Sequence, residues 1–567
     1  AAELLLADLG ALAKVFPLGG ASNAWAVSGD KSATGRPILA SDPHLPPDVP
    51  VHWYLSHLVG PGWRATGASF VGIPGIGIGH NEHCAWGVTA AHADNTDFFI
   101  EEIGPDGRSV RAEDGSFVRC EVRSERIEVK GRPAVVEDIL ETPRGPIVGP
   151  VFSGANEALS LSATWLAPRP YTGLFLAHKA KSAAEIHELF REASCSSVNL
   201  VVADRHGHIG WRLGVEVPVR KSGHGTMPRA GHLPGSGWEP LPIPFEKMPA
   251  LVDPKEGFVA SANNAPTPLS AGAPFFGVDF LDGFRHELLT EALGSRDDFT
   301  LADMSALQRD VRSTVWRRVK SIVLAAPPLD EDARRGLAIL GSWDGRVAKD
   351  SAAASVWILA STTLIGRVLR AKAPNTAGRA MGAGFHPALP VTTMMTRRMS
   401  HLVRLLTERP DGFFAEGYDE AIARAVSDAV RFLRDRHGED EARWGWGEVR
   451  PLRLHHALGK AAAPLDYALG LGPFPFEGDA STLSQGTVDF VDPTSGPAGV
   501  ANLRVVIDVG EFANARFALL AGQSGNPFSP HFSDQYEAFT SGELLSIAWT
   551  DADAERTARH RLRLVPG

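Results

Sequence analysis

Short apolar runs punctuated by glycine and proline fill the chain from Ala24 to about Gly294. Runs of this length and composition are typical of β-strands. Apolar positions in one segment of this half, "SAAEIHELFREA", recur with helical spacing instead. This half is therefore predicted to be mainly sheet, as in the runs "AWAV", "DFFIEEI", "LSLSATW", "VNLVVAD" and "HIGWRLGVEV".

The pattern changes between roughly residues 298 and 440, where apolar positions follow helical spacing and most segments begin with acidic residues. Strand-like runs return after about residue 480, in "ANLRVVIDVGE", "ARFALLAG" and "LLSIAW". Late strands of this kind can rejoin the first sheets. The order predicts an α+β fold with a helical insertion, and not a string of independent domains.

Composition narrows the function classes. The 567 residues carry a net charge of −10 and no long basic run, which argues against a nucleic-acid partner. No apolar run reaches the ~20 residues that a membrane-spanning helix needs. The three cysteines, Cys84, Cys120 and Cys195, show no C-x-x-C spacing, and the histidines show no H-E-x-x-H spacing. We therefore expect no disulfide framework and no required metal cofactor.

One serine near the start, Ser22 in "PLGGASNAWAV", is a candidate nucleophile. A serine hydroxyl needs a base, and a serine at the start of a chain has one in its own α-amine, whose ordinary pKa is about 7.7–8. That chemistry requires cleavage between Ala21 and Ser22, and the small residues of "GGA" would leave the Ala21 carbonyl open to attack. On these residues alone, the competing interpretation is a simple loop before a strand.

Ser22 opens an ordered set of motifs that continues along the chain. Ser22 opens "SNAWAVSGDKSATGRPILASDPHL", and the set continues with "GHNEHCAWGVTAAHADNTDFF", "NLVVADRHGHIGWRLGVEVPVR", "GFVASANNAP", "DFLDGFRHELL", "EGDAST" and "GQSGNPFSPHFSDQYEAFTSGELLSIAW". The chain resembles the penicillin acylase family of N-terminal-nucleophile hydrolases, and is closer to its cephalosporin and acyl-homoserine-lactone acylases. The resemblance implies a four-layer αββα sandwich. It also implies a precursor that cuts itself, with residues 1–21 as a spacer tail and residues 22–567 as the catalytic β subunit.

The resemblance also implies roles for individual residues. Ser22 would attack the substrate carbonyl, with its freed α-amine as base. The oxyanion would be held by the backbone N–H of Ala90 or Ala91 and by the side-chain amide of Asn263.

Four further residues follow from the same resemblance. Asn23 would orient the nucleophile through backbone contacts. His44 in "DPHL" stands where members similar to penicillin G acylase carry glutamine, and could hold the amine or hydroxyl of Ser22. Glu477 in "FEGDAST" is a candidate carboxylate partner for His44. Arg285 in "DGFRHELL" is either a residue of the site or half of a structural salt bridge.

A structural calcium ion is a further implication. Some relatives hold one with acidic residues that correspond to Asp94 and Asp97, with the carbonyl of Thr96 as another ligand. A later aspartate expected in that set falls at Pro274 without gaps. Any calcium bound here would be structural and not catalytic.

The predicted function is hydrolysis of an amide in an N-acylated small molecule of the β-lactam, acyl-homoserine-lactone or lipopeptide class. The resemblance implies an α subunit from the same precursor, which would form a heterodimer with this chain, and a periplasmic or secreted location. Two alternatives remain. One is a serine hydrolase with an internal triad, although "GQSGN" around Ser524 lacks the second glycine of the nucleophile elbow. The other is a catalytically dead binding relative, although Ser22 and Asn263 are both intact.

Overall fold

A computed structural model describes residues 20–150, 157–166, 173–192, 197–267, 274–386, 389–391, 397–459 and 463–566. The spacer tail predicted for residues 1–21 lies outside this part except for Gly20 and Ala21, and Cys195 also lies outside it. The strands are β1 Ala21–Val27, β2 Ile38–Leu45, β3 Asp48–Val49, β4 Trp53–Gly60, β5 Trp63–Phe70, β6 Ile78–Asn81, β7 Cys84–Ala90, β8 Thr96–Glu102, β9 Ser109–Arg111, β10 Phe117–Arg119, β11 Glu121–Ile127, β12 Val135–Thr142, β13 Gly145–Pro150, β14 Glu157–Ala163, β15 Val198–Asp204, β16 Ile209–Gly214, β17 Arg229–Ala230, β18 Ala250–Val252, β19 Phe258–Ser261, β20 Ala383–His386, β21 Leu389–Val391, β22 Leu452–His456, β23 Leu471–Phe474, β24 Val500–Ala501, β25 Leu503–Asp508, β26 Arg516–Leu519 and β27 Leu545–Ser546. The α-helices are Gly173–Leu176, Ala183–Glu188, Phe284–Gly294, Leu301–Gln308, Thr314–Leu324, Glu331–Gly341, Ala352–Lys372, Ala377–Met381, Arg398–Glu408, Tyr418–His437, Trp446–Val449, Ala463–Leu469, Tyr536–Ser541 and Asp551–Thr557.

Two antiparallel sheets form the centre of the fold. The first has the order β19-β1-β2-β25-β26-β27, with β24 also paired to β2. The second has the order β18-β16-β15-β7-β6-β5-β4. Late strands β25 and β26 therefore join β1 and β2, as the chain order predicts, and β1 lies in the middle of the protein beside β2 and β19.

The central strands of each sheet are buried on both faces. The inner faces share one core, in which Ala24 and Leu39 of the first sheet pack with Val201 of the second. On the outer face of the first sheet, Trp25 packs against the helices Phe284–Gly294 and Leu301–Gln308, and its Nε1 donates to Met304 Sδ at 3.0 Å. Burial of a side chain this large contributes roughly 1.5–3 kcal/mol to folding.

A helix on the far side completes the layers. Ile186, in the Ala183–Glu188 helix, packs with Trp86 and Leu200 on the outer face of the second sheet. The sequence of layers is therefore helix, sheet, sheet, helix, the predicted αββα sandwich. A separate six-stranded sheet, β11-β12-β13-β14-β8-β17, is attached through β8.

The helices between Thr314 and His437 build a lobe with its own apolar core. Side-chain caps begin several helices here and on the first sheet: Thr300 forms a capping box with Asp303, and Asp330 accepts from the N–H of Ala333 at 2.7 Å. One helix, Ala352–Lys372, is long and apolar enough to cross a membrane, but 83% of its most apolar window is buried inside the protein. Burial of that extent is typical of a core helix.

Candidate active site

Ser22 is the second residue of β1, and 6% of its surface is exposed. Its backbone N–H donates to Asn263 Oδ1 at 2.7 Å, and its hydroxyl donates to the carbonyl oxygen of Ala21 at 2.5 Å. The hydroxyl therefore lies beside the peptide carbonyl that it would attack to cut the chain.

Asn263 reaches Ser22 because β19 pairs with β1, with Ser261 opposite Ala24. Two residues beyond the strand, Asn263 takes a left-handed backbone conformation with φ 63°. Asparagine tolerates this region better than most residues do. Its carbonyl accepts from the N–H of Leu281 at 2.9 Å, which holds the turn in place. The conformation aims the side-chain amide at Ser22.

The end of β7 supplies the other predicted oxyanion donor. The N–H of Ala91 donates to the carbonyl of Ser197 at 2.9 Å, so the N–H of Ala90 is the better placed of the two predicted donors. The carbonyl of Ala90 accepts from Asn263 Nδ2 at 2.8 Å and from Asn199 Nδ2 at 3.3 Å. Because an amide nitrogen carries two N–H groups, Asn263 keeps a second donor for an oxyanion.

Arg285 connects these groups from the Phe284–Gly294 helix, and 1% of its surface is exposed. One guanidinium nitrogen donates to the carbonyl of Ser22 and to Asn23 Oδ1, both at 2.8 Å, and the other donates to Asn263 Oδ1 at 2.9 Å. Burial lowers the pKa of Arg285 to about 10, so it stays cationic at neutral pH. All three bonds go to neutral oxygens, which favours the site interpretation of Arg285 over a structural salt bridge.

His44 lies on β2, opposite Ala21, and 1% of its surface is exposed. Its Nε2 is 2.7 Å from Asp42 Oδ2, which also accepts from Asn23 Nδ2 at 3.0 Å. Burial lowers the pKa of His44 below 6.5, against the hydrogen bond and charge of Asp42, which raise it. Within the described residues, His44 makes no hydrogen bond to Ser22 in the uncut chain.

The carboxylate that contacts His44 is Asp42, and not the predicted Glu477. Burial raises the pKa of Glu477, and the charges that oppose this shift are those of Arg504, Lys349 and other cations. The motif "SDPHL" indicates Asp42 as a partner of His44, because residues two apart in a strand share a face. Asn199 carried no comparable signal, because its contact with Ala90 is made across two strands far apart in the chain.

The acidic residues of the implied calcium site are paired with an arginine. Both carboxylate oxygens of Asp97 accept from Arg220, at 2.7 and 2.9 Å, and Trp238 Nε1 donates to Asp97 at 2.7 Å. Asp94 is 3.2 Å from the same guanidinium. Thr96 donates its N–H to Asp94 at 3.5 Å. Calcium needs several free oxygens around one point. The residues as arranged do not fit the ion, and within the described residues no group of three or more His, Cys, Asp or Glu is placed to hold a metal.

Replacement of Arg220 with methionine is expected to lower the free energy of unfolding by about 3–5 kcal/mol, because it leaves two largely buried carboxylates without a counter-charge. Urea unfolding of the purified protein measures this. Arg229→Met is the control, because within the described part of the chain Arg229 donates to Ser236 Oγ and the Pro234 carbonyl and not to a carboxylate. Equal stability of Arg220→Met and wild-type protein would contradict the pairing.

The alternative nucleophile Ser524 lies in an exposed loop. Its hydroxyl accepts from the N–H of Asn526 at 3.1 Å, and its N–H donates to the carbonyl of His531 at 3.0 Å. The imidazole of His531 pairs with Asp534 at 2.8 Å, with 58% of its side chain exposed. Among the described residues, no hydrogen bond joins this imidazole to the Ser524 hydroxyl, so an internal triad is not assembled here.

Comparison with known proteins identifies the family of this chain. Residues 2–556 match the family described as Penicillin amidase. The chain is 31% identical to the penicillin acylase 2 proenzyme of Pseudomonas sp. (strain SE83), over 96% of this chain and 69% of that protein. It is 26% identical to the acyl-homoserine lactone acylase QuiP of Pseudomonas aeruginosa, with the same two coverages. A thermostable penicillin G acylase from Alcaligenes faecalis shares the fold, with a TM-score of 0.70 and 20% identity over 96% of this chain and 99% of that one. The chain belongs to the penicillin amidase family.

Proposed function

We propose that this protein deacylates an N-acylated small molecule through an acyl-enzyme on Ser22, after cutting its own chain between Ala21 and Ser22. Amide hydrolysis of the acylase type follows from the family. The observation that carries the finer proposal is the contact between the Ser22 hydroxyl and the Ala21 carbonyl, beside a Ser22 N–H that donates to Asn263 Oδ1.

The self-cleavage and the hydrolysis use the same chemistry. Ser22 Oγ forms a bond to the Ala21 carbonyl carbon, the peptide C–N bond breaks, and the hydroxyl proton moves to the Ser22 nitrogen. Water then hydrolyses the ester and leaves a free α-amine on Ser22. In each later turnover that amine takes the hydroxyl proton as Oγ attacks the substrate amide, and the proton leaves with the departing amine. Water then hydrolyses the acyl-enzyme ester, which releases the carboxylic acid and restores the Ser22 hydroxyl.

The surrounding residues support both reactions. Asn263 and the N–H of Ala90 stabilise the negative charge on the tetrahedral intermediate. Arg285 holds the carbonyl of Ser22, and its positive charge disfavours protonation of the neighbouring amine, which keeps that amine available as a base at neutral pH. His44, on β2 opposite Ala21, also influences the protonation of the Ser22 amine. Asn23 orients the nucleophile.

An α subunit from the same precursor is the proposed partner. The name proenzyme of a relative that is longer than this chain supports a processed, two-chain enzyme. Exposed apolar side chains along β4 and after β5, among them Val59 at 58% and Val71 at 74%, suit coverage by a second subunit. By the same resemblance we propose that the heterodimer is exported to the periplasm or the medium.

The relatives and His44 support the proposed substrate class. Two of the proteins named above are a penicillin acylase and an acyl-homoserine lactone acylase. We propose cephalosporin-type, acyl-homoserine-lactone or lipopeptide amides in preference to phenylacetyl amides, because His44 stands where the phenylacetyl-specific members carry glutamine.

The test is the intact mass and N-terminal sequence of the protein expressed from its complete gene, with amine release measured on a panel of these amides. A chain that starts at Ser22 and releases amine from acyl-homoserine lactones or cephalosporins is the expected result. An uncut, active protein would favour an internal triad. An uncut, inactive protein would favour a binding relative without catalysis.

A further inference from the structure

We propose that Asp42 is the positioning residue of this site: its carboxylate anchors a series of hydrogen bonds that runs through Asn23 and Arg285 to Ser22 and Asn263. The inference rests on the function proposed above. It assigns to Asp42 a role that acts through its neighbours and not on the substrate.

The first step of the series fixes the amide of Asn23. Asn23 Nδ2 donates to Asp42 Oδ2 and to the carbonyl of Leu483, each at 3.0 Å. With both donors used on this side, Asn23 Oδ1 must face the other way, where Arg285 donates to it at 2.8 Å. The carboxylate of Asp42 therefore decides which way the Asn23 amide points, because a carboxylate can only accept.

The second step passes from Arg285 to the reacting residues. The guanidinium nitrogen that bonds Asn23 also bonds the carbonyl of Ser22, and its neighbour bonds Asn263 Oδ1. A planar guanidinium held at one corner has its other donors fixed in direction. With its oxygen bound to Arg285, Asn263 presents Nδ2 towards Ala90 and the expected oxyanion position.

Asp42 also acts on the site through its negative charge. It is fully buried, and its negative charge acts on Arg285 from the helix layer, on Arg504 from β25 and on His44 from its own strand. The other carboxylates that act on these arginines are Asp282 on Arg285 and Glu477 on Arg504. Removal of the Asp42 charge would therefore leave two buried guanidinium groups poorly compensated.

Strand alternation excludes a direct role as a member of a Ser-His-Asp triad. Asp42 pairs with Asn23 across the two strands, on the face that Trp25 and Ala40 share with the helices. Ser22 alternates with these residues and lies on the face of Ala24, in the core between the sheets. Asp42 and His44 therefore reach Ser22 through intermediaries.

The test compares Asp42→Asn with wild type, both expressed from the complete gene, for self-cleavage, kcat, KM and the pH profile of kcat/KM. We expect slower self-cleavage and a kcat lower by about 100-fold, with KM little changed, because misplacement of reacting groups by about 1 Å has effects of this size. Asp508→Asn is the matched control. Asp508 is 3% exposed, lies at the other end of the β2–β25 pair, and bonds to the N–H of Gly510 and the side chain of Thr34.

The pH profile separates positioning from general damage. Asp42 raises the pKa of His44 by its hydrogen bond and charge, while burial and Arg285 lower it, so removal of the carboxylate moves that pKa further down. The uncompensated charge of Arg285 also lowers the pKa of the Ser22 amine. The acid limb of the profile should therefore shift to lower pH, whereas a simple packing defect would reduce the rate equally at every pH.

If Asp42→Asn fails to fold, a second variant tests the same series of hydrogen bonds. Asn23→Ser breaks the link to Arg285 and leaves every charge in place, and should reproduce the loss in kcat. Where both fold, the double variant should lose no more than the worse single variant, because both interrupt one series. Asp42→Asn and Asn23→Ser proteins with wild-type kcat, or losses that multiply in the double variant, would overturn the inference. A wild-type protein that is not cut at Ser22 would overturn the proposed function instead.

Discussion

Replacement of Ser22 with alanine is expected to leave the chain uncut between Ala21 and Ser22 and to abolish amide hydrolysis. The hydroxyl is the atom that attacks in both reactions, and its neighbour in the structure is the carbonyl of Ala21. Loss of the nucleophile of a serine hydrolase typically lowers kcat by about 10⁶-fold. Intact mass reports the cleavage, and amine release reports the hydrolysis.

Ser41→Ala is the matched control for this experiment. Ser41 is fully buried on the adjoining strand β2, opposite Ala24, and its hydroxyl has no hydrogen-bond partner within the described residues. It should be cut and remain active. Ser22→Cys keeps a nucleophile of similar size, and should retain some self-cleavage. A Ser22→Ala protein that is cut at the same bond, or that hydrolyses amides, would show that the nucleophile lies elsewhere.

The second large effect is expected from Asn263→Gly, which should lower kcat by about 10²–10³-fold, the usual cost of losing one oxyanion donor. Glycine is the informative replacement because φ is 63° at this position, where alanine would add backbone strain to the loss of the amide. The variant therefore removes the side chain and preserves the turn. Self-cleavage should slow as well, since the Ser22 N–H also loses its acceptor.

The neighbouring asparagine provides the control. Asn264 accepts from the N–H of Ala262 at 3.2 Å and, among the described residues, bonds to no predicted catalytic group, so Asn264→Gly should retain kcat within a few-fold of wild type. Steady-state kinetics on the best amide of the panel, together with urea unfolding of each variant, separate the two effects. An Asn263→Gly protein with the kcat of wild type would remove this side chain from the oxyanion site.

Much of the architecture follows from local pattern. Apolar alternation and the change to helical spacing near residue 298 predict strands, a helical lobe and returning strands, and β25 pairs with β2 as that order requires. The ordered motifs that begin at Ser22 predict the family, and the comparison confirms the family. These features depend on short-range periodicity and on residues that are contiguous in the chain, so a linear sequence records them directly.

The partners of the charged side chains could be identified only from the folded structure. Glu477 was the expected partner of His44, but the contact is made by Asp42, two residues away on the same face of β2. Asp94 and Asp97 suggested a cation site, but Arg220, 123 residues beyond Asp97, supplies the positive charge.

The sequence by itself determined the family, the order of elements and the serine on which the chemistry is proposed to occur. Only the tertiary structure decided that Arg285 links Ser22, Asn23 and Asn263, and that Ala90 and not Ala91 keeps the better-placed N–H. The physical reason is that a buried charge or amide must find its partner wherever packing brings one within about 3 Å, whatever the separation along the chain.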